Sequence, residues 1–126
     1  MMTGPSRILL IDDEPGTTLF VSSILEKQGF EVVVMDCGED AIKYLSQDVH
    51  FDLVLLDYLM VGMDGIDTLR IIKEQPATSH LKVVIESGLT DTEDMEKAMA
   101  LGACGYMVKP YSPAELISQV KDYLSK

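Results

Sequence analysis

Five polar residues stand where chemistry could be done. Asp12 and Asp13 are adjacent and follow the apolar run Ile8-Leu9-Leu10-Ile11. Asp57 follows Leu53-Val54-Leu55-Leu56, Ser87 lies just past Val83-Val84-Ile85, and Lys109 follows Tyr106-Met107-Val108. If the runs are neighbouring strands, the three carboxylates converge, and such a cluster either raises a pKa or demands a cation. An all-oxygen donor set suits a hard ion, and Mg²⁺ takes oxygen ligands while keeping several waters. Lys109 adds a fixed positive charge and Ser87 a hydroxyl. Together with a metal they match the needs of a transferring phosphoryl group, whose charge spreads over its outer oxygens. A carboxylate can then act as nucleophile and form an acyl phosphate. Asp57 is the candidate acceptor, while Asp12 and Asp13 are better placed to hold the ion.

Taken singly, each residue has an ordinary reading. An Asp after a strand often caps the next helix, a lone lysine is usually at the surface, and Ser87-Gly88 is a common turn pair. The signal is the joint pattern, a compatible group at each of four apolar-run ends. His50 and His80 lie away from these ends and read as solvated loop residues, which disfavours a transition-metal site.

The elements that must position these groups are legible. Five short runs rich in Val, Ile and Leu read as strands: Arg7–Ile11, Glu31–Met35, Asp52–Leu56, Leu81–Ile85 and Cys104–Val108. The middle three are near-continuously apolar, which predicts cover on both faces, as in a parallel sheet between helix layers. Helical stretches lie between them. Ser112, Pro113 and Glu115 spell a capping box with proline at the first helical position, followed by an apolar stripe through Leu116, Ile117, Val120, Tyr123 and Leu124. Thr90 and Glu93 suggest a second capping box, ahead of Met95, Ala98, Met99 and Leu101. A first helix after Pro15 carries Phe20, Val21, Ile24 and Leu25 and stops at Gly29. Weaker helices read at Gly38–Leu45 and Ile66–Lys73. Five β-α repeats imply an α/β fold, a doubly wound five-stranded parallel sheet with helices on both faces. In such sheets ligands bind beyond the carboxyl ends of the strands, where all five polar residues fall.

At 126 residues the chain is one domain's worth, and 47% hydrophobic content argues against disorder. The 21 acidic and 10 basic residues give a net charge of −11, which would repel nucleic acid and an anionic bilayer. The start has no signal-peptide pattern and no apolar run approaches the roughly 20 residues of a membrane span, so a cytoplasmic protein is expected. Cys37 and Cys104 lack CxxC spacing and read as buried, reduced thiols.

In sum of motifs, Ile8-Leu9-Leu10-Ile11-Asp12-Asp13-Glu14, Leu55-Leu56-Asp57-Tyr58-Leu59-Met60 with Gly62-Met63-Asp64-Gly65, Ser87-Gly88 and Gly105-Tyr106-Met107-Val108-Lys109-Pro110 resemble the receiver domain of bacterial two-component response regulators. The resemblance covers nearly the whole chain, with residues 1–6 read as a flexible N-terminal segment and residues 7–126 as the domain. It implies a flavodoxin-like strand order of 2-1-3-4-5. It implies that Asp57 accepts a phosphoryl group from the phosphohistidine of a sensor kinase or phosphotransfer protein. Mg²⁺ would be held by Asp13, Asp57, the Leu59 carbonyl and, largely through water, Asp12. Ser87 would swing toward the phosphoryl group and Lys109 would pair with it. Tyr106 would turn inward as the switch aromatic, changing the face of the fourth helix, fifth strand and fifth helix. The Lys109–Pro110 bond would be cis, an isomer open to X-Pro bonds. Two departures stand out: Val61 replaces a common proline after Met60, and Ser87 replaces the commoner threonine. Leu59 and Leu89 flank the expected water approach, which predicts slow hydrolysis of the acyl phosphate.

Other readings are an aspartyl-nucleophile phosphatase, a flavodoxin-like cofactor binder, and a pseudo-receiver that only docks a partner. The first would favour spaced rather than adjacent acids after the first strand. The second would place an uncharged phosphate cradle where Asp12-Asp13-Glu14 stand.

Overall fold

The structure is a computed structural model that describes residues 4–88 and 92–126. The expected Thr90 cap and Leu89 lie outside the described residues. Ten elements alternate strictly: β1 (Arg7–Ile11), α1 (Pro15–Lys27), β2 (Glu31–Met35), α2 (Gly38–Leu45), β3 (Leu53–Asp57), α3 (Gly65–Glu74), β4 (Val83–Ser87), α4 (Thr92–Ala100), β5 (Gly105–Val108) and α5 (Pro113–Leu124). The five strands form one parallel sheet in the order β2-β1-β3-β4-β5. The chain therefore winds outward in one direction from β1 and then returns to wind the other way. The reversal lies between β1 and β3, where Ile11 pairs with Leu56.

Successive strand residues point to opposite faces, so two cores form. Leu9, Ile11, Val54, Leu56, Val83 and Ile85 pack on one side with Ala41, Leu45, Ile66, Leu69, Ile72 and Ala98 from α2, α3 and α4. Ile8, Leu10, Leu53, Leu55, Val84 and Met107 pack on the other with Val21, Leu25, Leu116 and Val120 from α1 and α5. Strands β3 and β4 are buried at every residue, as continuous apolar runs require.

Strand β2 departs from the expectation of double cover. Glu31 and Val34 are exposed and the rest half-buried, because β2 is an edge strand at the margin of both helix layers. Two residues expected on buried stripes also face outward: Phe20 is 41% exposed and Met99 47%. The cysteines are unpaired thiols, but neither is buried: Cys37 is half-buried and caps α2, and Cys104 is exposed. Strand β3 ends one residue beyond its expected run and β4 two residues beyond, so Asp57 and Ser87 are the last residues of their strands rather than residues past them.

Helix ends follow local chemistry. The capping box of Ser112 and Glu115 forms, with Glu115 N–H donating to the Ser112 hydroxyl and Ser112 N–H to the Glu115 carboxylate. Helix α1 is followed by Gly29 at a φ of 93°, a left-handed turn that favours glycine. At the far end of α5, Lys82, the residue before β4, donates its ammonium to the carbonyls of Tyr123 (3.0 Å) and Leu124 (3.5 Å). A cation there satisfies carbonyls that have no partner within the helix.

Candidate phosphoacceptor and metal site

None of the three aspartates is a helix cap. Glu14 caps α1 and Asp64 caps α3, which leaves Asp12, Asp13 and Asp57 for other work. Asp12 turns the chain out of β1, its Oδ1 accepting the Glu14 N–H at 2.9 Å. Asp13 Oδ2 accepts the Val61 N–H at 2.9 Å, which ties the loop after β3 to the end of β1. Asp57 ends β3, next to Asp12 across the switch point. One carboxylate oxygen from each of Asp12, Asp13 and Asp57 lies within 4.8 Å of the others.

Lys109 binds two of them. Its ammonium donates to Asp12 Oδ2 at 3.0 Å and to Asp57 Oδ1 at 3.1 Å. Asp12 is 1% exposed and Asp57 7%, so these are charge-assisted bonds shielded from solvent. Burial pushes the Asp57 carboxyl up to about 6, a rise opposed by Lys109 and reinforced by Asp12 and Asp13. Burial works against the Lys109 charge as well, yet its pKa is raised overall by the hydrogen bond to Asp12 and by the nearby charges of Asp57, Asp12 and Glu86.

With one ammonium against three carboxylates, the cluster retains excess negative charge. Its donors are all hard oxygens, and the residues fit a divalent cation such as Mg²⁺. A second group, Asp36, Cys37 and Asp40, also brings ligand atoms together, but its thiol does not suit that ion.

The other expected residues fall around the cluster. Ser87 ends β4 and is 3% exposed, and its carbonyl accepts the Lys109 N–H at 2.8 Å. Tyr106 on β5 is half-buried and packs against the core beneath α2, α3 and α4. Leu59 is 62% exposed on the loop after β3. The Lys109–Pro110 peptide is cis. His50 and His80 are exposed, away from the site.

Three residues escaped the sequence reading. Tyr58, after Asp57, donates its hydroxyl to Asp94 on α4 at 2.7 Å. Glu86 is fully buried in β4 and accepts a 3.0 Å hydrogen bond from Tyr111, two residues beyond Lys109. An acid inside an otherwise apolar strand was a visible signal for Glu86. Its partner, contributed from beyond β5, was not.

Residues 8–121 match the family model described as the response regulator receiver domain. The chain belongs to that family. Among curated proteins, this receiver domain is similar to the DNA-binding response regulator MtrA of Mycolicibacterium smegmatis, 34% identical over 126 residues, all of this chain and 54% of MtrA. The chain thus spans about half the length of the curated relatives it matches. Among solved structures, the chemotaxis protein CheY4 of Vibrio cholerae superposes with a TM-score of 0.89 at 24% identity, covering 95% of this chain and 99% of that one. The receiver domain of sensor histidine kinase PA1611 from Pseudomonas aeruginosa, solved with a magnesium ion in its active site cleft, gives 0.87 at 22% identity, covering 98% and 100%. Those two likenesses bear on the fold. The receiver domain is a signalling fold rather than a member of an established enzyme family. No helix among the described residues is long and apolar enough to cross a membrane.

Proposed function

We propose that residues 7–126 form a Mg²⁺-dependent phosphoacceptor switch, with Asp57 as the acceptor. The partner is a sensor histidine kinase or a phosphotransfer protein, met in the cytoplasm, that presents a phosphohistidine. An Asp57 carboxylate oxygen attacks phosphorus in line. The new O–P bond forms as the P–N bond breaks, and its electron pair returns to the imidazole nitrogen. Asp12 and Asp13, with Asp57 and the Leu59 carbonyl, would hold the metal, which when bound offsets charge on the phosphoryl oxygens. Lys109 would stabilise the same charge with its ammonium. The single observation that carries this reading is the double contact of Lys109 with Asp12 and Asp57, an ammonium poised beside the acceptor oxygen.

Thr17, Phe20, Lys109, Pro110 and Tyr111 line a cavity of about 240 Å³ between α1 and the segment before α5, on one side of Lys109. After transfer, Ser87 moves toward a phosphoryl oxygen, Tyr106 turns toward the vacated space, and the face of α4, β5 and α5 changes shape. Reversal is hydrolysis: water attacks phosphorus, the Asp57 O–P bond breaks, and phosphate leaves. The domain assists this autodephosphorylation.

The test is incubation with acetyl phosphate or beryllofluoride, with and without Mg²⁺, on the unaltered protein and on Asp57→Ala. Metal-dependent modification of the unaltered protein that vanishes in the variant is expected. Modification that persists in Asp57→Ala overturns the assignment. Sustained turnover of small phosphate esters would move the protein to the phosphatases.

A further inference from the structure

The fully buried Glu86 is not needed to bind metal or accept phosphorus. One of its oxygens, Oε2, accepts the Tyr111 hydroxyl at 3.0 Å. The other, Oε1, is buried with no hydrogen-bond partner among the described residues. A leucine would fill this apolar layer beside Val84 and Met107 without stranding an oxygen. The placement of the pair suggests what the polar contact does. Glu86 immediately precedes Ser87, and Tyr111 stands two residues after Lys109. The Lys109 N–H is bonded to the Ser87 carbonyl at 2.8 Å, so the chain from Lys109 to Tyr111 is fastened at both ends to the same two residues of β4. Lys109 carries a long flexible stem, and its ammonium must reach two carboxylates at once. Fixing the backbone on both sides of it leaves only the stem to order.

The geometry points to Glu86 and Tyr111 as a positioning pair that clamps the backbone around Lys109, so that its ammonium is already aimed at the acceptor when a phosphoryl donor arrives. This rests on the phosphoacceptor reading above and deepens it. Neither residue touches the reacting atoms. Both act through Lys109, and displacement of an aligned charge by a fraction of an ångström slows a reaction that depends on positioning.

The decisive variant is the double substitution Glu86→Leu with Tyr111→Phe in the full chain. It removes both polar partners together and leaves no orphaned group, so the fold is expected to be at least as resistant to heat as the unaltered protein. Its Mg²⁺ affinity, measured with the metal alone, should not fall, because the carboxylates are untouched and a less firmly aimed Lys109 competes with the ion less. Its maximal rate of phosphorylation by acetyl phosphate should fall by about tenfold. A clamp with a purely structural role predicts that rate recovers with stability, so a double variant that is stable and phosphorylated at the unaltered rate overturns the proposal. Glu86→Gln serves if the double variant does not fold. Its amide oxygen still accepts from Tyr111, and it should be phosphorylated within about twofold of the unaltered rate while Tyr111→Phe alone is slowed. Equal rates for Tyr111→Phe and the unaltered protein overturn the proposal by that route. An unaltered protein that takes no phosphoryl group at all would instead sink the underlying phosphoacceptor reading, and this inference with it.

Discussion

Gly65 lies directly beneath the backbone of Asp57: a Cβ at position 65 would stand 2.3 Å from the Asp57 carbonyl oxygen and 2.8 Å from the Tyr58 Cα. Both obstacles are backbone, so neither can swing aside. The close approach also carries a hydrogen bond, from Gly65 N–H to the Tyr58 carbonyl at 2.9 Å. Gly65→Ala must therefore push α3 away from the end of β3. We expect a loss of about 1–3 kcal/mol in denaturant unfolding, together with slower phosphorylation. An alanine variant with unchanged stability would contradict this packing.

Lys109→Met separates two roles of one charge. The ammonium contacts Asp12 and Asp57; in the proposed reaction it would compete with a cation for them and stabilise charge on the phosphoryl group. Mg²⁺ affinity should rise in the variant because a like charge is gone. Phosphorylation by acetyl phosphate should fall by about a hundredfold. Calorimetry with the metal alone and a labelling time course read the two effects separately, and parallel losses in both would refute the division.

The buried acids give the metal-free protein a defined pH response. The Asp57 carboxyl rises from 3.8 to about 6 and that of Glu86 from 4.5 to about 7, in each case chiefly through burial. The folded state then holds protons that the unfolded chain has released, so these groups favour folding at low pH and that advantage is lost as pH climbs through the raised values. Asp48 and Glu115 are shifted downward and reach their full effect below this window. In chelator, the melting temperature should decline between about pH 5 and about pH 8. Glu86→Gln should flatten that decline, and a profile that rises with pH would be the contrary result.

Tyr58→Phe removes the hydroxyl that reaches Asp94 and keeps the ring. The loss should be about 1 kcal/mol and confined to one region. Amide hydrogens of α4 are expected to exchange faster while those of β3 keep their protection. Uniformly faster exchange across the sheet would show that the contact supports the whole fold.

Leu59, two residues past Asp57, is largely exposed. Replacing it with asparagine offers an attacking water a hydrogen-bonding neighbour. Loss of the phosphoryl group from Asp57 should quicken several-fold. An unchanged lifetime, followed after removal of the donor, would rule out the apolar side chain as a barrier.

Most of the architecture could be read from β-branched runs and glycine stops, because parallel strands buried on both faces leave a continuous apolar trace. The same rule failed at β2. Val32-Val33-Val34 carries the same letters as a central strand, and only the strand order reveals that it sits at the edge. Phe20 misled for a related reason, since an apolar residue at helical spacing gives no sign that it borders a cavity instead of filling a core. The acids and Lys109 were legible because each stands at or just past a strand's carboxyl end, and the switch point then brings those ends together. The contacts of Tyr58 with Asp94 and of Glu86 with Tyr111 were not, because each joins elements whose angle and separation are set by packing across the sheet.

Helix α5 is attached to one strand at both extremities. Tyr111, next to its N-cap, holds Glu86 at one end of β4, and its last carbonyls take the ammonium of Lys82 at the other. A beam clamped at two supports cannot slide along its axis. It can only roll or bow. Any message leaving through this helix is therefore expressed as a change in which side chains it turns outward, not as a change in how far it extends.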